Sequence, residues 1–427
     1  MRLACIQDHI AHWLRARKGK LLALLSLSAV ALDWSQAALA AGRNAVEMST
    51  PPESPTTTQL SLKHFNYLYE DLSIGGTPMG LVRIYARFPD YAFATEPNEG
   101  FACVDDAARA IVMLARQWRR DHNPEIRRKV GRLSEFVLHL QNRNGYFNNF
   151  LRSDLSINRD YRTSVAELNW WSWRALWGLE EALPVVGADA PLAARIRAAT
   201  ARMVRNVERD GLDPATGSDQ TADAVIAMLA YHARTNDPEI RRLVESFADH
   251  IVSTQMGGPN AYPYGMFVST DHQWHAWGNI QAYALLLAGE RLARDDYVAS
   301  ALREVDNFYP YILRTGFAGS IRVRRDGDGF VEAGRDPYPQ IAYGVRPMIF
   351  ASMKAYALTK QERYRILAKK LAEWLFGAND ADTPIYHPES GIAFDGILGR
   401  DSVNRNSGAE STIEALLALQ ALEGDYP

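Results

Sequence analysis

Val403-Asn-Arg-Asn-Ser-Gly-Ala-Glu-Ser-Thr-Ile-Glu-Ala-Leu-Leu-Ala-Leu-Gln420 is a polar, glycine-containing loop that runs straight into an apolar helix. Ile413, Leu416, Leu417 and Leu419 recur at helical spacing on a core-facing stripe. The helix, Ser411 to Leu422, is followed by no partner, and that decides the fold because the helices before it come in pairs. Ser407 with Glu410 three residues on has the pattern of a capping box. The rival reading makes Glu410 a catalytic carboxylate displayed at the rim of a barrel.

Working back from that helix, five complete pairs are legible. They are Asp106 to Arg120 with Glu125 to Gln141, Leu168 to Leu183 with Pro191 to Glu208, and Thr221 to Thr235 with Glu239 to Gln255. Trp274 to Arg294 with Tyr297 to Arg314, and Tyr338 to Leu358 with Gln361 to Phe376, complete the set. Asn123-Pro124 and Asp237-Pro238 open two of the second members, with proline at the first turn behind an Asn or Asp cap. An unpaired helix expected at the front, Leu60 to Leu72, would join the unpaired last one as a sixth pair, so that the two ends close a ring. The expected architecture is all-α, an (α/α)6 toroid spanning residues 60–427.

First members of the pairs are apolar all round, as in Ala107-Ala-Arg-Ala-Ile-Val-Met-Leu-Ala115, whereas second members carry charge, as in Arg127-Arg-Lys129. The first members and the final helix therefore form the inner ring. Antiparallel pairing brings every inner-helix N-terminus to one end of the barrel. The segments arriving there are the most polar and aromatic of the chain, among them Val104-Asp-Asp106, Glu167-Leu-Asn-Trp-Trp171, Asp271-His-Gln-Trp-His-Ala-Trp277 and Asn404-Arg-Asn-Ser-Gly-Ala-Glu410. Loops held by a rigid scaffold are where sites form.

Such a rim suits a carbohydrate, with aromatic faces stacking on sugar rings and carboxylates and amides bonding hydroxyls. Glycosidic hydrolysis needs one protonated carboxyl on the leaving oxygen and one carboxylate to activate water or attack carbon. Asp105 or Asp106 and Glu410 are the candidates, because their inner helices are neighbours in a closed ring. The alternative for the two aspartates is an N-cap and a first-turn acid that complements the helix dipole. A helix N-terminus also favours the ionised form of Glu410, against a role as acid, so burial and a neighbouring carboxylate would have to outweigh it. Substrate-binding candidates are Trp170, Trp171, His272, Trp274, His275, Tyr343, Arg346, Asn404 and Asn406. His272 and His275 are three apart but no third ligand accompanies them, so neither a metal nor another cofactor is expected. Asp326-Gly-Asp-Gly329 lacks the remaining ligands of a calcium loop and reads as a hairpin turn.

At the other end of the chain, Arg15, Arg17, Lys18 and Lys20 precede the apolar run Leu21 to Leu32 and the small-residue site Ala38-Leu-Ala40. This is the pattern of an export signal over residues 1–40, too short to span a bilayer comfortably, with an uncleaved anchor as its alternative. Residues 41–59 read as a disordered linker. A periplasmic or secreted location is expected, with Cys103 the one cysteine left once Cys5 departs with the signal. A net charge of −3 gives no hint of a nucleic-acid partner.

Val104-Asp-Asp-Ala-Ala-Arg109, Gly145-Tyr-Phe-Asn-Asn-Phe150, Arg174-Ala-Leu-Trp177 and Asn404-Arg-Asn-Ser-Gly-Ala-Glu-Ser-Thr412 are similar to motifs of bacterial six-hairpin proteins found in polysaccharide-handling contexts. The chain thus resembles the six-hairpin glycosidase superfamily of (α/α)6 barrels. A looser likeness to inverting endoglucanase-type barrels implies Glu410 as acid and Asp105 or Asp106 as base, although the tight Asp-Ala-Gly-Asp spacing of those enzymes is missing. The expectation is an exported, inverting glycoside hydrolase acting on an oligosaccharide or polysaccharide. Its rivals are a lyase or epimerase using His272 or His275 with Tyr343, where Arg346 neutralises a uronate, and a non-catalytic sugar-binding barrel.

Overall fold

The computed structural model of the chain describes residues 60–424 except 188, 189 and 214. The expected export signal and linker lie outside the described residues. Among the described residues twelve α-helices are laid down in order: α1 Lys63–Leu68, α2 Val104–Asp121, α3 Pro124–His139, α4 Trp170–Val186, α5 Ala190–Asp210 and α6 Ser218–Thr235. They continue as α7 Pro238–Ser253, α8 Gln281–Leu292, α9 Asp295–Thr315, α10 Ala342–Thr359, α11 Glu362–Ala372 and α12 Ala409–Leu422. The even-numbered helices touch one another in sequence, and α12 touches both α10 and α2, so the inner ring meets itself. The odd-numbered helices α3 to α11 pack outside as the second members of their pairs, giving the (α/α)6 barrel.

The floor of the barrel is built from very short turns. Two residues join α2 to α3, α6 to α7, α8 to α9 and α10 to α11, and each turn begins with a left-handed residue: His122, Asn236, Ala293 or Lys360. A helix ended this way reverses tightly because the left-handed residue caps the last carbonyls. Asn123 and Asp237 then start the outer helices, each side chain accepting from the backbone N–H two residues on, at 2.9 Å. All long connections lie at the opposite end, where the inner helices begin. Chain length available for a site is therefore confined to one mouth.

Inner helices approach closely where side chains vanish. A Cβ placed on Gly178 of α4 would lie 2.8 Å from the Ala108 carbonyl oxygen and 3.0 Å from its Cα. Gly178→Ala is accordingly expected to force α2 and α4 apart at a cost of about 1–3 kcal/mol, read as a lowered urea midpoint. An unchanged midpoint would show that the ring relaxes freely at this seam.

Two sequence expectations are corrected. The front helix is only Lys63–Leu68, because Tyr69–Ile74 turns through Gly75-Gly76, both at positive φ, and pairs antiparallel with Thr77–Val82. Two glycines at left-handed positions make the hairpin turn that ends helix formation here. The helix expected from Trp274 starts at Gln281, since Gln273–His275 instead pairs with Ser320–Arg322 at the edge of a three-stranded sheet. Phe150–Leu151 pairs with Ala102–Cys103 just before α2. The hairpin turn expected at Asp326-Gly-Asp-Gly329 is present between Ser320–Asp326 and Gly329–Asp336.

Candidate active site at the barrel mouth

The start of α2 is held by one asparagine. The Asn149 carbonyl accepts from Val104 N at 2.8 Å and its side-chain oxygen from Asp105 N at 3.2 Å, while Cys103 Sγ accepts from Asp106 N at 3.3 Å. Asp105 and Asp106 are thereby presented at the head of the helix, and Arg109 follows one turn later among alanines. Arg109 is 2% exposed and organises the site. Its Nη2 donates to Asp106 Oδ1 at 2.8 Å and to Glu410 Oε2 at 3.1 Å, and lies 3.5 Å from Asp105 Oδ2. Its Nη1 donates to Glu414 Oε1 at 3.0 Å.

A second arginine extends the array. Arg174 Nη1 on α4 donates to both oxygens of Asp105 at 2.8 Å, and its Nη2 lies 3.1 Å from Asp223 Oδ2 on α6 and donates to the Tyr343 hydroxyl. Arg346 on α10 closes the circuit onto Glu414. The Tyr343 ring lies between the three guanidiniums, whose carbons are 5.4, 5.2 and 5.5 Å from its centroid, so it favours their charge as well as their packing.

Five carboxylates thus meet three guanidiniums, and a fully ionised set would carry surplus negative charge among largely buried side chains. The protons settle where burial is least compensated. Burial, with the charges of Glu410 and Asp105 beside it, pushes Asp106 up to about 7 in spite of Arg109. Burial also raises Asp223. For Asp105 burial is outweighed by Arg174 and Arg109, which hold it below the usual carboxylate range, and Arg346 and Arg109 do the same for Glu414.

This gives a signed pH dependence. Unfolded, Asp106 titrates near 3.9, roughly; folded, it titrates at about 7, so the folded chain binds the extra proton between those values. The associated stability is full below the unfolded value and is lost as pH rises toward 7. Asp106→Asn mimics the protonated carboxyl, and its stability relative to wild type is expected to rise by a few kcal/mol between pH 5 and pH 8. Urea midpoints at the two pH values test this; a constant difference would refute it.

Glu410 occupies the first turn of α12 with its side chain 47% exposed, the most open carboxylate of the array. The capping box expected with Ser407 is not formed. Gly408 is the cap residue, and Asp395 Oδ1 accepts from Gly408 N at 3.1 Å and Ser411 Oγ at 2.8 Å, while Ser407 Oγ is spent on Ala393 N at 3.2 Å. Asp395 wins because the strand-bearing loop before α12 brings a whole carboxylate over the helix start. Burial, with the Glu410 charge adding to it, raises Asp395 to about 6.

The other expected site residues divide. Trp170 is half-buried at the start of α4, and His272 is exposed on a short turn. His275 is buried, stacked on Trp277 at 4.5 Å, with Nε2 3.5 Å from Asp219 Oδ2. Two residues are corrected: Trp171 is buried with its indole N–H donating to the Phe147 carbonyl at 2.9 Å, and Trp274 is buried edge-on against Phe308. Asn404 and Asn406 brace their own loop, Asn404 Oδ1 accepting from Asn406 N at 3.2 Å and Asn406 Oδ1 from Phe88 N at 3.1 Å. Arg346 is committed to Glu414 rather than standing free for a substrate carboxylate.

Arg109, Arg174, Asp219, Asp223, Asp395 and Glu414 were not among the expected site residues. All but Asp395 carry one signal, a charge in the first turns of a helix apolar on every side. Among the described residues no group of three or more His, Cys, Asp or Glu is placed to hold a metal ion, and the centre of the carboxylate cluster is filled by the Arg109 guanidinium.

No protein-family model matches the chain, and no curated protein matches it. Solved structures do match in fold. A sugar epimerase from a ruminal bacterium is aligned over 86% of this chain and 97% of its own, with TM-score 0.63 and 10% identity. A D-mannose isomerase is aligned over 88% and 99%, with TM-score 0.63 and 11% identity. A family 76 glycoside hydrolase from a bovine Bacteroides thetaiotaomicron strain is aligned over 86% and 78%, with TM-score 0.59 and 11% identity.

Proposed function

We propose, from a barrel fold shared with the six-hairpin glycosidase superfamily and from the acids at its mouth, that the chain is a carbohydrate-active enzyme hydrolysing glycosidic bonds. One observation carries this reading: an open carboxyl, Glu410, and an ionised one, Asp105, lie against the same nitrogen of Arg109. Glu410 donates its proton to the leaving glycosidic oxygen. Asp105 accepts a proton from the water that attacks the anomeric carbon, so water is added across the glycosidic bond. Arg109 and Arg174 keep Asp105 charged and aimed, and the substrate is an oligosaccharide or polysaccharide. Mass spectrometry of products from mannan, β-glucan, xylan, alginate and polygalacturonate tests it, with NMR of the first-formed anomer. Fragments carrying one added water support a hydrolase; unsaturated fragments would replace it by a lyase.

A second reading rests on His275, whose Nε2 faces Asp219 while its buried Nδ1 has no hydrogen-bond partner among the described residues. Such a ring is placed to move a proton at a sugar carbon, as an epimerase requires. Deuterium uptake from heavy water into a sugar, lost in His275→Gln and kept in Glu410→Gln, would favour it. Export belongs to the proposal through residues 1–40. No helix among the described residues is long and apolar enough to cross a membrane, and N-terminal sequencing of the protein recovered outside the cytoplasm tests cleavage.

A further inference from the structure

Most large apolar side chains of this fold are covered, yet Tyr67, Phe88 and Phe93 are 48%, 47% and 43% exposed and lie together. Tyr67 meets Phe93 at 5.0 Å between centroids, His64 meets Tyr67 at 5.7 Å and Tyr91 at 5.3 Å, and Tyr91 meets Phe88 at 6.2 Å. The exposed Tyr67 and Phe93 and the exposed Phe88 with half-buried Tyr91 are joined through the buried His64 into a band over α1 and the hairpin Tyr85–Arg87 with Ala92–Ala94. An exposed patch of this kind marks a binding surface rather than scattered surface apolarity.

Its position says what it binds. The hairpin is stitched to the loop that delivers Glu410: Ser407 N donates to the Ala86 carbonyl and Ala409 N to the Ile84 carbonyl, both at 3.1 Å, and Phe88 N donates to Asn406 Oδ1 at 3.1 Å. His64 Nε2 lies 2.9 Å from the Ser407 carbonyl. The exposed Arg405 covers the Phe88 ring at 5.7 Å, so the band begins beside the mouth and leads away from it, with polar groups along its edge.

We propose that this band is a stacking platform for a saccharide chain that continues out of the mouth, making the substrate a polymer rather than a mono- or disaccharide. The proposal rests on the reading of the mouth as a carbohydrate site. Exposed aromatic rings, set edge-on or tilted to one another, match the apolar faces of sugar residues, and the hydrogen bonds to the Glu410 loop hold the platform beside the acid.

The test is electrophoresis of the full chain through gels containing mannan, β-glucan, xylan, alginate or polygalacturonate. Wild type and Glu410→Gln are expected to be retarded by at least one of these polysaccharides. Phe88→Ala with Phe93→Ala is expected to bind about tenfold more weakly, equivalent to roughly 1.4 kcal/mol. Phe88→Leu with Phe93→Leu, which keeps apolar bulk without a flat face, is expected to lose binding equally, and Phe88→Trp to retain it; thermal unfolding verifies that each variant is folded. Equal retardation of the ring variants would overturn the platform. So would no retardation of wild type by any polysaccharide, which would leave the band to a protein surface or to residues 1–59. Ring-dependent retardation without hydrolysis of any polymer would instead sink the hydrolase and leave the platform standing.

Discussion

Arg109→Met is expected to destabilise the barrel by about 3–5 kcal/mol at neutral pH, the cost of removing one partner from a buried charge array. Asp105, Asp106, Glu410 and Glu414 all lie against this guanidinium, and methionine fills its volume without replacing its charge. Glu414 keeps Arg346 and Asp105 keeps Arg174, but the surplus of negative charge in the lumen grows by one. The loss should shrink below about pH 5, where the carboxylates take up protons. Arg109→Lys is not expected to restore stability, because an ammonium cannot reach four carboxylates with a planar fork. Urea denaturation at pH 5 and pH 7.5 measures both effects. A loss under about 1 kcal/mol at the higher pH would mean that the cluster is far better hydrated than its burial implies.

Glu410→Gln is the counterpart, with a large effect on rate and a small one on folding. As the open carboxyl of the cluster, Glu410 is replaced by an isosteric amide without leaving a cavity. The melting temperature is expected to hold. Removing the general acid is expected to lower kcat by about 10²–10⁴-fold with little change in KM. Activity within tenfold of wild type would exclude Glu410 as the proton donor, whatever the substrate.

The ring was legible because its information is local. Proline after Asn123 and Asp237, small apolar inner helices and charged outer ones suffice to place five pairs and the closing helix. The short front helix was misread because a strand that alternates against one neighbour also satisfies a helical stripe over two turns; Gly75-Gly76 was the deciding sign. Asp105, Asp106 and Glu410 were singled out from their position at helix starts, and the three lie against one arginine. Arg109 and Arg174 were not, because a charge inside an apolar helix looks like an exposed face until a partner is known, and the partners are up to 305 residues away in the chain. Asp395 has no local sign at all, for its role depends on how a long loop folds over α12. Trp171 and Trp274 show the reverse error, since an aromatic residue near a mouth is also what a wall is made of.

Apart from Asp106, paired with Arg109 on its own helix, the charges of the array have partners on other inner helices: Glu410 and Glu414 on α12 with Arg109 on α2, Asp105 on α2 with Arg174 on α4, Arg174 with Asp223 on α6, and Glu414 with Arg346 on α10. Helix pairs of such a ring look like interchangeable modules, but their lumen ends are not. A hairpin transplanted from another barrel would bring its own charges and strand those of its neighbours, so chimaeras should fail wherever a graft boundary separates an acid from its arginine. The unit that recombines without loss is the whole circuit, and the loops above it are what remain free to diversify.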